Sequence, residues 1–244
     1  MPEAADARRV ELAANLERVR ARVAAGSVAA GRDPATVTLV AITKTYPASD
    51  VVLLSELGVR DIGENRDQEA VGKAAEVAEA GAGVRWHFVG QLQRNKCRSV
   101  VGYADMVHSV DSQRLVAALA DAAARHRERP LDVLVQVSLD GDPERGGALF
   151  DPGDPDRELD RVIAAVAATD SLVPRGLMTV APAGWEPERA FAVLAELAGR
   201  IRIRYPTARA LSAGMSGDLE AALVYGATHV RIGSALLGNR APLG

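Results

Sequence analysis

The chain has 244 residues, 48% hydrophobic and 25% charged, with a formal net charge of −3. That is enough for one α/β barrel or two small domains, and the balance is that of a folded globular protein rather than a disordered one. The slight acidity excludes a global basic field that would draw the chain to nucleic acid.

Residues 3–30 are expected to form a helix, with Val10, Leu12, Leu16, Val19 and Val23 at helical spacing. Gly31-Arg32-Asp33-Pro34 breaks it. Strand and helix patterns then alternate. Residues 37–43 read as a strand. Ser49-Asp50 is the expected cap of a helix bearing Val52, Leu53 and Leu57, which stops near Gly58. Strand 59–63, helix 66–80, strand 84–89 and a short helix over 94–101 follow. The fourth strand is expected at 105–110, then a helix capped by Asp111-Ser112 with Leu115, Val116 and Leu119 on one face. The fifth strand, 131–138, is nearly all apolar, as in a parallel sheet covered on both faces. Helix 159–168, strand 173–178, helix 188–204, strand 208–212, helix 217–225 and strand 228–232 complete the series. Eight βα units, the last incomplete, predict a (β/α)₈ barrel preceded by one extra helix, in a single domain over 1–244. Residues 139–156, rich in Gly, Pro and Asp, form a long loop after strand five that is either a lid or a mobile connection.

Cys97 is the single cysteine, so no intramolecular disulfide can form. Residues 1–22 lack the apolar core of a signal peptide, and no run is apolar for long enough to span a membrane. These features lead us to expect a cytoplasmic protein that binds neither membrane nor nucleic acid. No His-Glu-x-x-His, Cys-x-x-Cys or EF-hand spacing is present, so no metal is expected. Neither a Gly-x-Ser-x-Gly elbow nor a Walker loop occurs.

In a barrel of this kind the active face is the carboxyl end of the strands. The polar residues expected there are Lys44, Glu64, Asn65, His87, Gln91, Ser109, Gln136, Ser138, Ser212, Arg231 and Ser234, with Met178 and Gly233 beside them. Lys44 closes the first strand. A buried lysine there would lose its charge readily, and a neutral amine can attack an aldehyde to form a Schiff base. A lysine that has left the strand and reaches solvent is the alternative. The segments Leu211-Ser212-Ala213-Gly214-Met215-Ser216-Gly217-Asp218 and Val230-Arg231-Ile232-Gly233-Ser234-Ala235 each join a strand to a helix. They follow strands seven and eight, where many barrels bind phosphate. Arg231 has the strand parity of His229 and Gly233, so it is expected to face the mouth and to need an acceptor there. His87, between Trp86 and Phe88, reads as a packed, hydrogen-bonded residue rather than a base.

Val40-Ala41-Ile42-Thr43-Lys44-Thr45, Gly63-Glu64-Asn65, Trp86-His87-Phe88-Val89-Gly90 with Leu92-Gln93-Arg94-Asn95-Lys96, Arg175-Gly176-Leu177-Met178 and the two carboxyl-terminal segments carry a resemblance. The chain resembles the pyridoxal-phosphate homeostasis proteins (YggS or PROSC-like), whose fold is similar to the amino-terminal barrel of alanine racemase. The resemblance implies that Lys44 holds pyridoxal 5′-phosphate (PLP) as an internal aldimine and that Arg231 faces the pyridine nitrogen. It implies that Ser212, Ser216, Gly233 and Ser234 receive the phosphate, with Asn65 and Met215 near the ring. Two stretches depart from the family pattern. Gly90-Gln91-Leu92-Gln93-Arg94-Asn95-Lys96 lacks the usual proline. Glu144-Arg145-Gly146-Gly147 stands where a lysine-containing turn is usual, so no role attached to that lysine carries over.

An arginine opposite the pyridine nitrogen makes the ring a weaker electron sink than an aspartate would. The expected role is therefore a PLP carrier and regulator, which limits free cofactor and hands it to PLP-dependent apoenzymes. A monomer is expected. The second reading is a weak amino-acid racemase, although none of Tyr46, Tyr103, Tyr205 or Tyr225 stands out as the tyrosine that racemases take from a second domain. The third is a Schiff-base aldolase acting on a sugar phosphate, with Glu64 as its acid/base.

Overall fold

The computed structural model describes residues 2–142, 145–151 and 153–238. Its elements in chain order are α1 (Pro2–Ala29), β1 (Thr38–Ile42), α2 (Ala48–Glu56), β2 (Asp61–Glu64), α3 (Asp67–Glu79), β3 (Arg85–Phe88), α4 (Cys97–Tyr103), β4 (Met106–Val110), α5 (Gln113–His126), β5 (Leu131–Gln136), α6 (Leu159–Ala167), β6 (Leu172–Met178), α7 (Pro187–Arg204), β7 (Ala210–Ser212), α8 (Leu219–Val224), β8 (His229–Ile232) and α9 (Ser234–Leu237). Each strand pairs in parallel with the one before it, and β8 returns to β1, so the sheet closes. Closure leaves no edge strand, and each helix covers the outside of the sheet it connects.

Strand alternation sorts side chains between two cores. Ala41, Ile62, Trp86, Phe88, Val107, Leu131, Val133, Val135, Leu177, Leu211, Val230 and Ile232 join one continuous apolar layer between the barrel and its helices. The residues between them in sequence face the interior. On one side of the interior, Met106, Leu134 and Met178 pack with Ala210. Beside them lies a polar group made of Asp61, His87, His108, His229, Ser212 and Arg231, with Met106 in register with His87 and Met178 with Ser212.

Helix α1 buries Leu12, Leu16, Val19 and Val23 in the outer layer. Val10 is not on that face: it is 70% exposed, because two residues rotate a helix by about 200°. Buried Asn15 donates to the Leu236 carbonyl, and Arg8 bridges Asp50 at 2.7 Å and the Leu237 carbonyl at 3.0 Å, so α1 is fastened to both α2 and α9. That pairing also corrects the expected Ser49-Asp50 cap. Helix α2 starts at Ala48 with Pro47 in the cap position, and Asp50 lies buried inside its first turn. Val51 and Leu54 face the core there, rather than Val52, Leu53 and Leu57, which are half-buried. Helix α5 does bury Leu115, Val116 and Leu119, but without a side-chain cap. Asp111 instead accepts from the Gly147 N–H at 3.2 Å.

The described part of the long loop after β5 is tethered. Ala148 pairs with Val137 and Leu149 with Glu158 as isolated bridges, Arg157 donates to the Gly147 carbonyl, and Arg145 donates to the Val180 carbonyl at 2.8 Å. Glu144 lies outside the described residues.

Candidate functional site

At the carboxyl end of the barrel is a cleft of about 550 Å³ lined by Ile42, Lys44, Asn65, Val89, Gly90, Met178, Val180, Met215, Ser216, Gly217, Arg231, Gly233 and Ser234. Seven of the eight expected site residues therefore meet in one cleft: Lys44, Asn65, Met215, Ser216, Arg231, Gly233 and Ser234. The eighth, Ser212, lies beneath it. Ser212 is fully buried, and its hydroxyl accepts from Arg231 Nη1 at 2.7 Å and bonds His108 Nδ1 at 2.9 Å.

Lys44 is exposed and sits in a turn past the end of β1. The solvent-reaching alternative is the correct one. Its backbone is gripped from both sides. Lys73 Nζ donates to the Thr43 carbonyl at 2.8 Å, Thr43 Oγ1 donates to Glu64 at 2.6 Å, and the Thr45 N–H donates to Glu69 at 2.6 Å. Thr45 holds a φ of +68°, an uncommon conformation for a non-glycine residue. Lys73 itself pairs with Glu64 at 2.5 Å and Glu69 at 2.8 Å, so the grip is one connected ion-pair cluster. Burial raises the Glu64 carboxyl above its usual range against the pull of Lys73 and Thr43. Glu64 is thus committed to the grip.

Arg231 is 5% exposed and forms the floor of the cleft. Nη2 donates to the Thr179 carbonyl at 2.8 Å, and the Arg231 N–H donates to the Gly214 carbonyl at 2.9 Å. Burial lowers its pKa to about 10, which still leaves it cationic at neutral pH. Among the described residues no carboxylate pairs with it; Asp218 attracts it only from a distance. A buried cation without a counter-ion calls for an acceptor from outside the protein.

The loops after β7 and β8 form the rest of the wall. Gly214 has a φ of +90°, and a Cβ there would lie 2.6 Å from Ala222 Cβ, so the turn requires glycine. The Ser216 hydroxyl accepts from the Ala235 N–H at 3.4 Å and lies 3.5 Å from the Ser234 hydroxyl. Arg22 of α1 holds this loop by donating to the Ser216 carbonyl at 3.1 Å. On the opposite wall, Gly90 packs on Asn65 so closely that a Cβ would fall 2.0 Å from the Asn65 carbonyl oxygen. The Asn65 Oδ1 atom is buried and has no hydrogen-bond partner among the described residues. It is a second group awaiting a ligand.

The other polar strand ends do not converge here. His87 is buried in the interior, Ser109 is buried, and Gln136 and Ser138 hold the loop after β5. Gln91 lines a separate pocket with Asp111 and Arg114. Sequence reasoning missed Lys73, His108 and His229. For Lys73 a signal existed: it shares the buried stripe of α3 with Ala70 and Val77, and a lysine on an apolar stripe needs a partner.

With this geometry in view, the comparisons are specific. The family model "Alanine racemase, N-terminal domain" matches residues 10–241. The pyridoxal phosphate homeostasis protein of Mycobacterium leprae (strain TN) is 48% identical over 244 residues, 95% of this chain and 93% of that protein. The solved structure of PipY from Synechococcus elongatus PCC7942, with PLP bound, superposes with a TM-score of 0.78 at 32% identity, over 93% of this chain and 100% of that one. An alanine racemase from Clostridium difficile 630 superposes with a TM-score of 0.67 at 14% identity, over 94% of this chain and 57% of that one, which is likeness of fold alone. The chain belongs to the pyridoxal phosphate homeostasis protein family, built on the alanine racemase amino-terminal barrel.

Proposed function

We propose that this chain binds PLP in the mouth cleft with Lys44 as its covalent anchor, and takes part in intracellular PLP homeostasis as a holder and donor of the cofactor. The observation that carries the reading is the pairing of an exposed, backbone-clamped lysine with a buried arginine that lacks a counter-ion among the described residues, both lining one cleft. Asn65 Oδ1, an orphaned buried acceptor in the same wall, fits a ligand with hydrogen-bond donors.

When bound, PLP supplies an aldehyde that condenses reversibly with an amine and a pyridine ring that withdraws electrons. Lys44 is the amine in reach of solvent, so it can take up and release cofactor without a large rearrangement. Arg231 only donates hydrogen bonds, so it holds a facing ring nitrogen without a proton. Ser216, Gly233 and Ser234, with Met215 beside them, form the phosphate wall. Ser212 belongs beneath this set, as the hydroxyl that holds Arg231, rather than among the phosphate ligands.

Tyr46, Tyr103 and Glu64 are not placed as the further acid or base that the racemase and aldolase readings need. The Tyr46 hydroxyl donates to the Gly238 carbonyl at 2.6 Å, and the Tyr103 hydroxyl is buried. Glu64, the aldolase candidate, is consumed by Lys73 and Thr43. We further propose a cytoplasmic monomer, a single PLP-binding unit that passes cofactor to apoenzymes. The test is a transfer assay: the PLP-loaded protein reactivates a PLP-dependent apoenzyme, while amino-acid racemisation stays at background. Racemisation well above background, or PLP that fails to bind in a spectrophotometric titration, contradicts the reading. Among the described residues no helix is long and apolar enough to cross a membrane.

A further inference from the structure

A string of polar side chains runs through the barrel interior to Arg231. Asp61 Oδ1, on the first residue of β2, lies 2.9 Å from His87 Nε2. His87 Nδ1 lies 2.9 Å from His108 Nε2, and His108 Nδ1 lies 2.9 Å from Ser212 Oγ. Ser212 Oγ is 2.7 Å from Arg231 Nη1. Four strands contribute between Asp61 and Ser212, and β8 supplies the arginine. His87 is 1% exposed, and His108 and Ser212 are fully buried.

The ends of the string dictate its direction. Arginine can only donate and a carboxylate can only accept. If Ser212 accepts from Arg231, its own proton goes to His108 Nδ1. His108 then donates from Nε2 to His87 Nδ1, and His87 donates from Nε2 to Asp61. Every buried donor and acceptor of the string is used once. The competing arrangement has His108 donating to Ser212 and a doubly protonated His87 donating at both ends. It leaves the buried Ser212 proton without an acceptor and adds a second positive charge to an interior that already holds Arg231. Burial and the charge of Arg231 both disfavour protonation of His108.

We propose that Asp61, His87, His108 and Ser212 form a one-way hydrogen-bond chain that positions the Arg231 guanidinium, with His108 as the positioning residue whose Nδ1 sets the Ser212 hydroxyl. The inference rests on the reading that Arg231 faces the bound PLP ring. Losing the chain frees Arg231 Nη1 to turn from the cleft and leaves a buried hydroxyl unpaired. Asp61 also lines a pocket with Arg20 and Arg60, so the chain joins that pocket's wall to the PLP cleft.

Two measurements test the proposal separately. The first uses the protein without PLP and records side-chain ¹⁵N shifts of the histidines at neutral pH. His108 and His87 are each expected as neutral rings protonated at Nε2. A His108 ring protonated at Nδ1, or a doubly protonated His87, overturns the chain, whatever the outcome for PLP. The second titrates PLP into His108→Phe, His108→Gln and Ser212→Ala, following the visible band and its pH profile. A lost buried hydrogen bond predicts roughly tenfold weaker PLP binding for His108→Phe and Ser212→Ala. His108→Gln, which keeps a donor and an acceptor, stays within about threefold of the parent. Equal affinity and an unchanged band in both disruptive variants overturn the positioning role. Should His108→Phe fail to fold, Ser212→Ala carries that arm alone. No PLP band even in the parent protein would sink the PLP reading instead, while the histidine tautomers still decide whether the chain exists.

Discussion

The two walls of the cleft treat buried charge in opposite ways. On the β1–β3 side, Lys73 is 5% exposed, yet it is fully occupied by Glu64, Glu69 and the Thr43 carbonyl. On the β7–β8 side, Arg231 is equally buried, yet among the described residues its guanidinium is held only by a hydroxyl and a carbonyl. Charge that is neutralised internally serves the fold, and here it fixes the turn that presents Lys44. Charge left without a counter-ion keeps its electrostatic potential for a ligand. Burial alone would have singled out Lys73 as the reactive lysine. Pairing removes it from contention and leaves the exposed Lys44.

Breaking the paired side should cost stability first. Lys73→Met leaves Glu64 buried and uncompensated, so unfolding free energy should fall by about 3–5 kcal/mol in a denaturant titration. Adding Glu64→Leu should recover much of it, since a buried pair can be replaced by apolar residues. A single variant as stable as the parent would mean that the cluster does not grip the turn.

The unpaired side should show the reverse pattern. Arg231→Met removes the cation that awaits an acceptor, so PLP affinity should drop by about 100-fold, worth about 2.7 kcal/mol. Its melting temperature should change less than that of Lys73→Met. An Arg231 variant that binds PLP normally would show that the guanidinium does not face the cofactor. A smaller effect is expected at Gly90. Gly90→Ala pushes its Cβ into the Asn65 carbonyl, which must shift the wall that carries the orphaned Oδ1. Roughly tenfold weaker PLP binding in the same titration is the expected result.

Acid should sharpen the contrast between the interior and the mouth. Burial lowers His229 to about 4, against an ordinary value near 6.5. The folded state therefore binds fewer protons than the unfolded state in that window. The stability this contributes is present above about pH 6.5 and is lost as pH falls toward 4. His108, Asp61, His87, Arg85 and Arg231 act on the same ring. A His229→Gln variant should show a flatter fall in melting temperature between pH 6.5 and 4; an unchanged slope would place the acid sensitivity elsewhere.

Much of the fold is legible in the sequence because period-two and period-3.6 patterns alternate cleanly from residue 37 onward. The eight strands appear within two residues of their expected limits, because the outer core depends on side-chain alternation. Helix faces are harder: Val10 and Val52 are apolar but lie off the buried stripe. At the site, the loops after β7 and β8 and the parity of Arg231 are readable locally. The anchoring role we propose for Lys44 is not, since it comes from the family resemblance, and the exposure of Lys44 contradicts the burial argument. The interior string is the least legible part. Asp61, His87, His108 and Ser212 stand far apart in sequence, and only barrel closure brings them into one line.

The chain contains three lysines, Lys44, Lys73 and Lys96, which makes the central claim easy to test. The most direct measurement is to load the protein with PLP, reduce it with borohydride and map the pyridoxyl mass onto its peptides. The account predicts one adduct, on the Lys44 peptide, and loss of the visible band on reduction. An adduct on Lys73 or Lys96 with Lys44 unmodified would contradict it.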